Sequence, residues 1–215
     1  MAGFFWAHGL RDDEPNSPPT GSDKSHLSTL LCGLAHFSVE LYSTGGTYSY
    51  LEQWIRQQPG GLQLTRLEDY LDYPEMPGGL VKTLHPRVHG GLLTDLEDPA
   101  QVQHMQQQGM HAFDLLVVNL YPFQQTVAND ADLESCRRQI DIGGVAMLRA
   151  AAKNFARVAV LCDPADYADV CAELVNHQGT LSAATRWHLA RKAFRHVLEY
   201  DQAISQYLDS VEAPC

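Results

Sequence analysis

The sequence predicts an α/β fold: a three-layer sandwich around a mostly parallel central sheet. Three observations predict it. "LLVVNL" (residues 115–120) and "VAVLC" (158–162) are continuous apolar runs, the mark of strands buried on both faces. Segments with helical spacing alternate with the strands, which implies a parallel sheet covered on both sides. The 215 residues, 45% of them hydrophobic, supply one full core.

The elements follow in order. "MAGFFWAHGL" is apolar, and the polar, proline-rich "RDDEPNSPPTG" (11–21) separates it from the rest. Residues 1–21 are therefore set apart as an atypical N-terminal segment, and 22–215 as the domain. In "SHLSTLLCGLAHF", Leu27, Leu30, Leu31 and Leu34 share one helical face. "VELYS" reads as a strand that "TGGT" breaks. "YSYLEQWIRQ" reads as a helix ended by Pro59, Gly60 and Gly61. "DLESCRRQ", "VAMLRAAAKN" and "PADYADVCAELV" are further helices, and the chain from Leu181 to Leu208 is mostly helical. No internal repeat is present.

A net charge of −11 opposes general nucleic-acid binding, which needs a basic surface. It leaves room for one small anionic ligand held by local donors. No apolar run approaches the roughly 20 residues that cross a bilayer, so no membrane partner is expected. "MAGFFWAHGL" lacks a basic start and does not read as a signal peptide. Cys32, Cys136, Cys162, Cys171 and Cys215 form no CxxC pair. Reduced thiols in a cytoplasmic protein account for them.

In an open parallel sheet, ligands bind beyond the carboxyl ends of the strands, and that rule selects loops. "STGGT" (43–47) lies between a strand and a helix. It is either a plain turn or an anion site built from hydroxyls, glycine amides and a helix start. "SDK" (22–24) precedes a helix, where Ser22 or Asp23 can cap it or Lys24 can add a cation. "NLYPF" leaves the apolar strand and carries Asn119 and Tyr121, a strand terminus or a site edge. "IDIGG" (140–144) sets Asp141 before a glycine pair and a helix that it caps or serves. Lys153 near that helix's other end suits the helix dipole.

"GGLVKTLHPRVHGG" (78–91) concentrates Lys82, His85 and His89 among four glycines. Two histidines four apart would suit a metal on a helix, but Pro86 and the glycines oppose a regular helix here. No HExxH pattern or acidic ligand cluster follows, so no metal is expected. Lys82 reads as a cation set against a phosphate or a developing oxyanion.

Taken together, "SDK", "STGGT", "YPEM", "VKTLHPRVHGG", "VVNLYPF", "IDIGG", "LRAAAKN", "DPADY" and "TRWHLARKAFRHVLEYDQAIS" resemble the IMP cyclohydrolase domain of the bifunctional purine-biosynthesis enzyme. The motifs keep family order and spacing from Ser22 to about Leu208. The resemblance implies a methylglyoxal-synthase-like fold. It also implies cyclisation of a formamido ribotide to IMP, with no cofactor. Lys82, Tyr121, Asp141 and Lys153 would be catalytic. Thr83, Asn119, Ile142 and Gly143 would hold the base. Ser22, Lys24, Ser43, Gly45, Gly46 and Thr47 would hold the 5′-phosphate. His85 and His89 would only shape their loop. A cytoplasmic homodimer acting on a purine ribotide follows. The family's formyltransferase domain finds no room in 215 residues, so a separate protein would formylate the substrate.

The chain departs from the family at three places. Leu80 replaces an arginine two residues before the motif lysine. "PTGSDK" replaces "SVSDK", so the first strand comes from "GFFWAHGL" or is rebuilt. Phe155 replaces a histidine after "AAKN". These changes raise two alternatives: a relative closing a ring on a modified ribotide, and a nucleotide-binding regulatory module without catalysis.

Overall fold

The computed structural model describes residues 3–8, 25–58, 60–74, 76, 80–120, 123–129 and 132–212. Among these, five parallel strands form one sheet in the order β3-β2-β1-β4-β5. They are β1 (Gly3–His8), β2 (Val39–Ser43), β3 (Leu62–Arg66), β4 (Leu115–Val118) and β5 (Ala159–Leu161). The first strand is drawn from "GFFWAHGL", which resolves the choice left by "PTGSDK". β1 lies at the centre of the sheet, between β2 and β4. The segment set apart at 1–21 thus contributes the middle strand.

The ten helices described are α1 (Ser25–Leu34), α2 (Gly45–Gln57), α3 (Leu67–Leu71), α4 (Pro86–Leu93), α5 (Pro99–Gln107), α6 (Phe123–Ala128), α7 (Leu133–Arg138), α8 (Gly143–Lys153), α9 (Tyr167–Asn176) and α10 (Ala183–Ser210). They form two packed groups. α1 packs against α9, while α8 packs on β4 and β5 with α4 and α10 around it. All four residues of β4 and all three of β5 are buried, as expected of strands covered on both faces. β3, which the sequence reading passes over, is an edge strand with only Leu62 buried. No described helix is long and apolar enough to cross a membrane. The described cysteines Cys32, Cys136, Cys162 and Cys171 are free thiols.

Arg157 bolts the two halves of the second helical group to the sheet. Its guanidinium donates to the carbonyls of Gly91 (2.7 Å), Phe113 (2.9 Å) and Thr94 (3.3 Å), and it meets Asp114 at 3.4 Å. It thereby ties the end of α4 to the start of β4. Arg157→Met keeps the apolar stem and removes every one of these donors. The expected loss is about 2–3 kcal/mol of unfolding free energy, read from the urea midpoint at unchanged slope.

Candidate functional site

All strands are parallel, so their carboxyl ends share one edge of the sheet. The strand order reverses between β1 and β4, which opens a crevice there. The register sets Ala7 between Ser43 of β2 and Val117 of β4. At about 4.8 Å per strand, Ser43 and Val117 flank β1 roughly 10 Å apart.

The β2 side ends in a helix start. Ser43, Thr44 and Thr47 are buried hydroxyl residues, and α2 begins at Gly45. Gly45 has φ +50°, a left-handed turn that favours glycine. Thr44 stands at the N-cap without capping through its side chain. The first amides of a helix have no partner within it and carry the positive end of its dipole. "TGGT" ends β2 as expected, with Thr44 at the N-cap and its glycines in the first turn of α2.

The β4 side gathers three segments. Asn119 follows β4 directly, and its Nδ2 donates to the Tyr167 hydroxyl at 3.4 Å. Burial pushes the Tyr167 phenol up to about 12. Asp141 is 5% exposed, and its Oδ1 accepts from the Gly144 amide at 2.7 Å. Thr83, 2% exposed, lies against Gly143 so closely that a Cβ on Gly143 would overlap its Oγ1. The loop of Lys82 and the start of α8 are thus in direct contact. Side-chain atoms that are buried and have no partner among the described residues include Asn119 Oδ1, Asp141 Oδ2 and His89 Nε2. Stranding such groups is costly.

The loop before α4 is held from both sides. Val81 adopts φ +60°, an outlying conformation for a β-branched residue. Lys82 follows it, partly buried. The Thr83 carbonyl accepts from the His85 amide at 3.0 Å. Burial holds the His89 imidazole below its ordinary pKa, with the Thr83 backbone opposing that shift.

Several expectations are corrected here. Pro86 does not oppose a helix: it occupies the first turn of α4, a position that tolerates its missing N–H. His85 caps that helix, its Nδ1 accepting from the Arg87 amide at 3.1 Å. His89 lies within it. The glycines serve close packing, since a Cβ on Gly91 would strike the His111 carbonyl and the Phe113 ring. No group of three or more metal-ligating side chains occurs among the described residues. Lys153, expected near the other end of the helix that follows Asp141, closes α8 there. Ten residues at 1.5 Å rise put it about 15 Å from Gly143, and α8 leads from there toward β5. The structure sets Thr83 against Gly143, beside Asp141 and Ile142, with Lys82 next to Thr83, while Leu120, the residue after Asn119, lies against Gly144. It sets Ser43, Gly45, Gly46 and Thr47 across β1. Ser22, Lys24 and Tyr121 lie outside the described residues. Sequence reasoning missed Tyr200, whose hydroxyl accepts from the Asp141 amide at 2.8 Å.

Two family models match. The MGS-like domain covers residues 27–146, and the AICARFT/IMPCHase bienzyme covers residues 151–214. The bifunctional purine biosynthesis protein PurH of Anaeromyxobacter sp. (strain K) is 48% identical over 193 residues, which is 90% of this chain and 36% of that protein. PurH of Xylella fastidiosa (strain 9a5c) is likewise 48% identical over 193 residues, 88% of this chain and 35% of that one. The chain thus spans about a third of these relatives. The crystal structure of ForH is similar at 33% identity and a TM-score of 0.71, covering 95% of this chain and 96% of ForH.

Proposed function

The chain belongs to the MGS-like domain family, in the lineage of the AICARFT/IMPCHase bienzymes, and from that premise we propose that it is an IMP cyclohydrolase. It closes 5-formamidoimidazole-4-carboxamide ribotide to IMP. One observation carries the reading: two buried acceptors, Asn119 Oδ1 and Asp141 Oδ2, have no partner among the described residues. Asn119 leaves β4 at the sheet's carboxyl edge, and Asp141 stands in the turn between α7 and α8. A ligand presenting N–H donors, as a carboxamide does, would satisfy them.

In this mechanism the carboxamide nitrogen attacks the formyl carbon. A C–N bond forms and the formyl oxygen gains negative charge. Asp141 takes a proton from the nitrogen, and Lys82 stabilises the oxygen. Tyr121 assists the proton transfers by which that oxygen leaves as water. Thr83, Asn119 and the amides of Ile142 and Gly143 hold the base. The hydroxyls and helix start at Ser43, Gly45, Gly46 and Thr47 take the 5′-phosphate, with Ser22 and Lys24 joining them. The reaction is intramolecular, so holding one reactive conformer supplies much of the rate. The chain works as a homodimer. Adding the formylated ribotide to purified protein and following purine absorbance tests the reading, and unchanged absorbance would sink it.

A second reading, ring closure on a modified ribotide, is favoured by Leu80. It is 60% exposed in the loop of Lys82, where the resemblance expects arginine. If the ordinary ribotide is the substrate, Leu80→Arg should raise turnover. A charge-assisted hydrogen bond contributes roughly 1.5–3 kcal/mol, about tenfold or more in rate. A fall in turnover would favour the modified ribotide, and unchanged kinetics would show that position 80 does not face the ligand.

A further inference from the structure

We propose that Tyr200 is a positioning residue for ring closure, fixing the turn that carries Asp141 through its hydroxyl. The inference rests on the proposed ring-closing role of that carboxylate. Tyr200 is 8% exposed in α10. Its hydroxyl donates to the Gln139 carbonyl at 2.9 Å and accepts from the Asp141 amide at 2.8 Å. One phenol thus closes both ends of the Gln139–Ile140–Asp141 turn. It uses the backbone of Asp141 and leaves the carboxylate to Gly144 and the ligand.

The ring of Tyr200 is held as firmly as its hydroxyl. It packs edge-on against Phe123, with centroids 6.3 Å apart and planes at 68°. Phe123 in turn meets Tyr207 of α10, edge-on at 5.7 Å. Tyr200, Phe123 and the fully buried Cys136 form a small core apart from the main one, bordered by Leu120, Ile140 and Val145. This core lies beside the turn that opens α8, and it is the Tyr200 hydroxyl that hydrogen-bonds both ends of that turn. A carboxylate must be held to within about 0.5 Å of its productive place, and an error near 1 Å costs on the order of 100-fold in rate.

The test compares wild type, Tyr200→Phe and Phe123→Leu. The first variant keeps the ring and removes the hydroxyl. The second loosens the same core and keeps the hydroxyl. Each is measured for kcat and KM on the formylated ribotide, for thermal midpoint, and for amide hydrogen exchange at Asp141. Tyr200→Phe should lose about 10- to 100-fold in kcat with KM nearly unchanged, and its Asp141 amide should exchange faster. Phe123→Leu should lose thermal stability at least as much while keeping most of its kcat. Wild-type kcat in Tyr200→Phe, or an equal kcat loss in Phe123→Leu at equal midpoint, would overturn the proposal. If wild type does not act on the ribotide, the functional reading fails by itself. The exchange measurement then still decides whether the hydroxyl holds the turn, and unchanged protection in Tyr200→Phe would overturn it.

Discussion

Asp141→Asn is expected to lower turnover on the formylated ribotide by about 1000-fold, within the range that proton transfer by a positioned side chain supplies. The change is nearly isosteric. The amide oxygen can take over the hydrogen bond that Oδ1 accepts from the Gly144 amide, so α8 keeps its start. The Asp141 main-chain amide still donates to Tyr200. What changes is the other oxygen. Oδ2, buried and without a partner among the described residues, becomes an NH2 group, a donor that cannot take a proton. A carboxamide N–H then meets a donor where it needs an acceptor. Thermal stability should stay close to wild type while turnover collapses. A variant with near-normal turnover would remove Asp141 from the proton chemistry. A variant that instead unfolds would show that the charge serves α8.

Much of this fold is legible in the sequence, for physical reasons that differ by element. β4 and β5 are readable because burial on both faces leaves only apolar side chains. β3 is not, because "LQLTR" is an edge strand whose burial falls away after Leu62. α4 is hidden by its own solution to packing. Pro86, His85, Gly90 and Gly91 look like breakers in a string. In space they are a first-turn proline, a cap, and two positions where the helix comes too close to Met110, His111 and Phe113 for a Cβ. Lys153 shows the converse: the length of its helical segment already put it at the end of α8 away from Asp141, and there it stands. Tyr200 leaves no local signature, since it lies 59 residues from the amide it accepts from. Only the fold brings a tyrosine of α10 to that turn.

Lys82→Ala is expected to cost on the order of 100-fold or more in turnover, as loss of one oxyanion donor does, with little loss of stability. The backbone around Lys82 explains both halves of that statement. Before it, Val81 is held at φ +60°, a conformation that costs on the order of 1–3 kcal/mol and persists only where its surroundings impose it. After it, Thr83 is buried against Gly143, and its carbonyl takes the His85 amide. The main chain at position 82 is thus fixed from both sides by its neighbours, and an alanine there inherits the same path. The side chain itself is partly exposed and outside the buried core, so truncating it removes little packing. Its absence should be felt where charge develops on the formyl oxygen, so kcat should fall with KM much less affected. Paired measurements of kcat, KM and the denaturant midpoint check this. A large drop in the midpoint would assign Lys82 to the loop's folding, and turnover within a few-fold of wild type would take it out of the mechanism. Relieving the strain instead, with Val81→Gly, separates the two roles further. It should raise or preserve stability, because glycine accepts positive φ freely, yet lower turnover, because Lys82 is then no longer held in place.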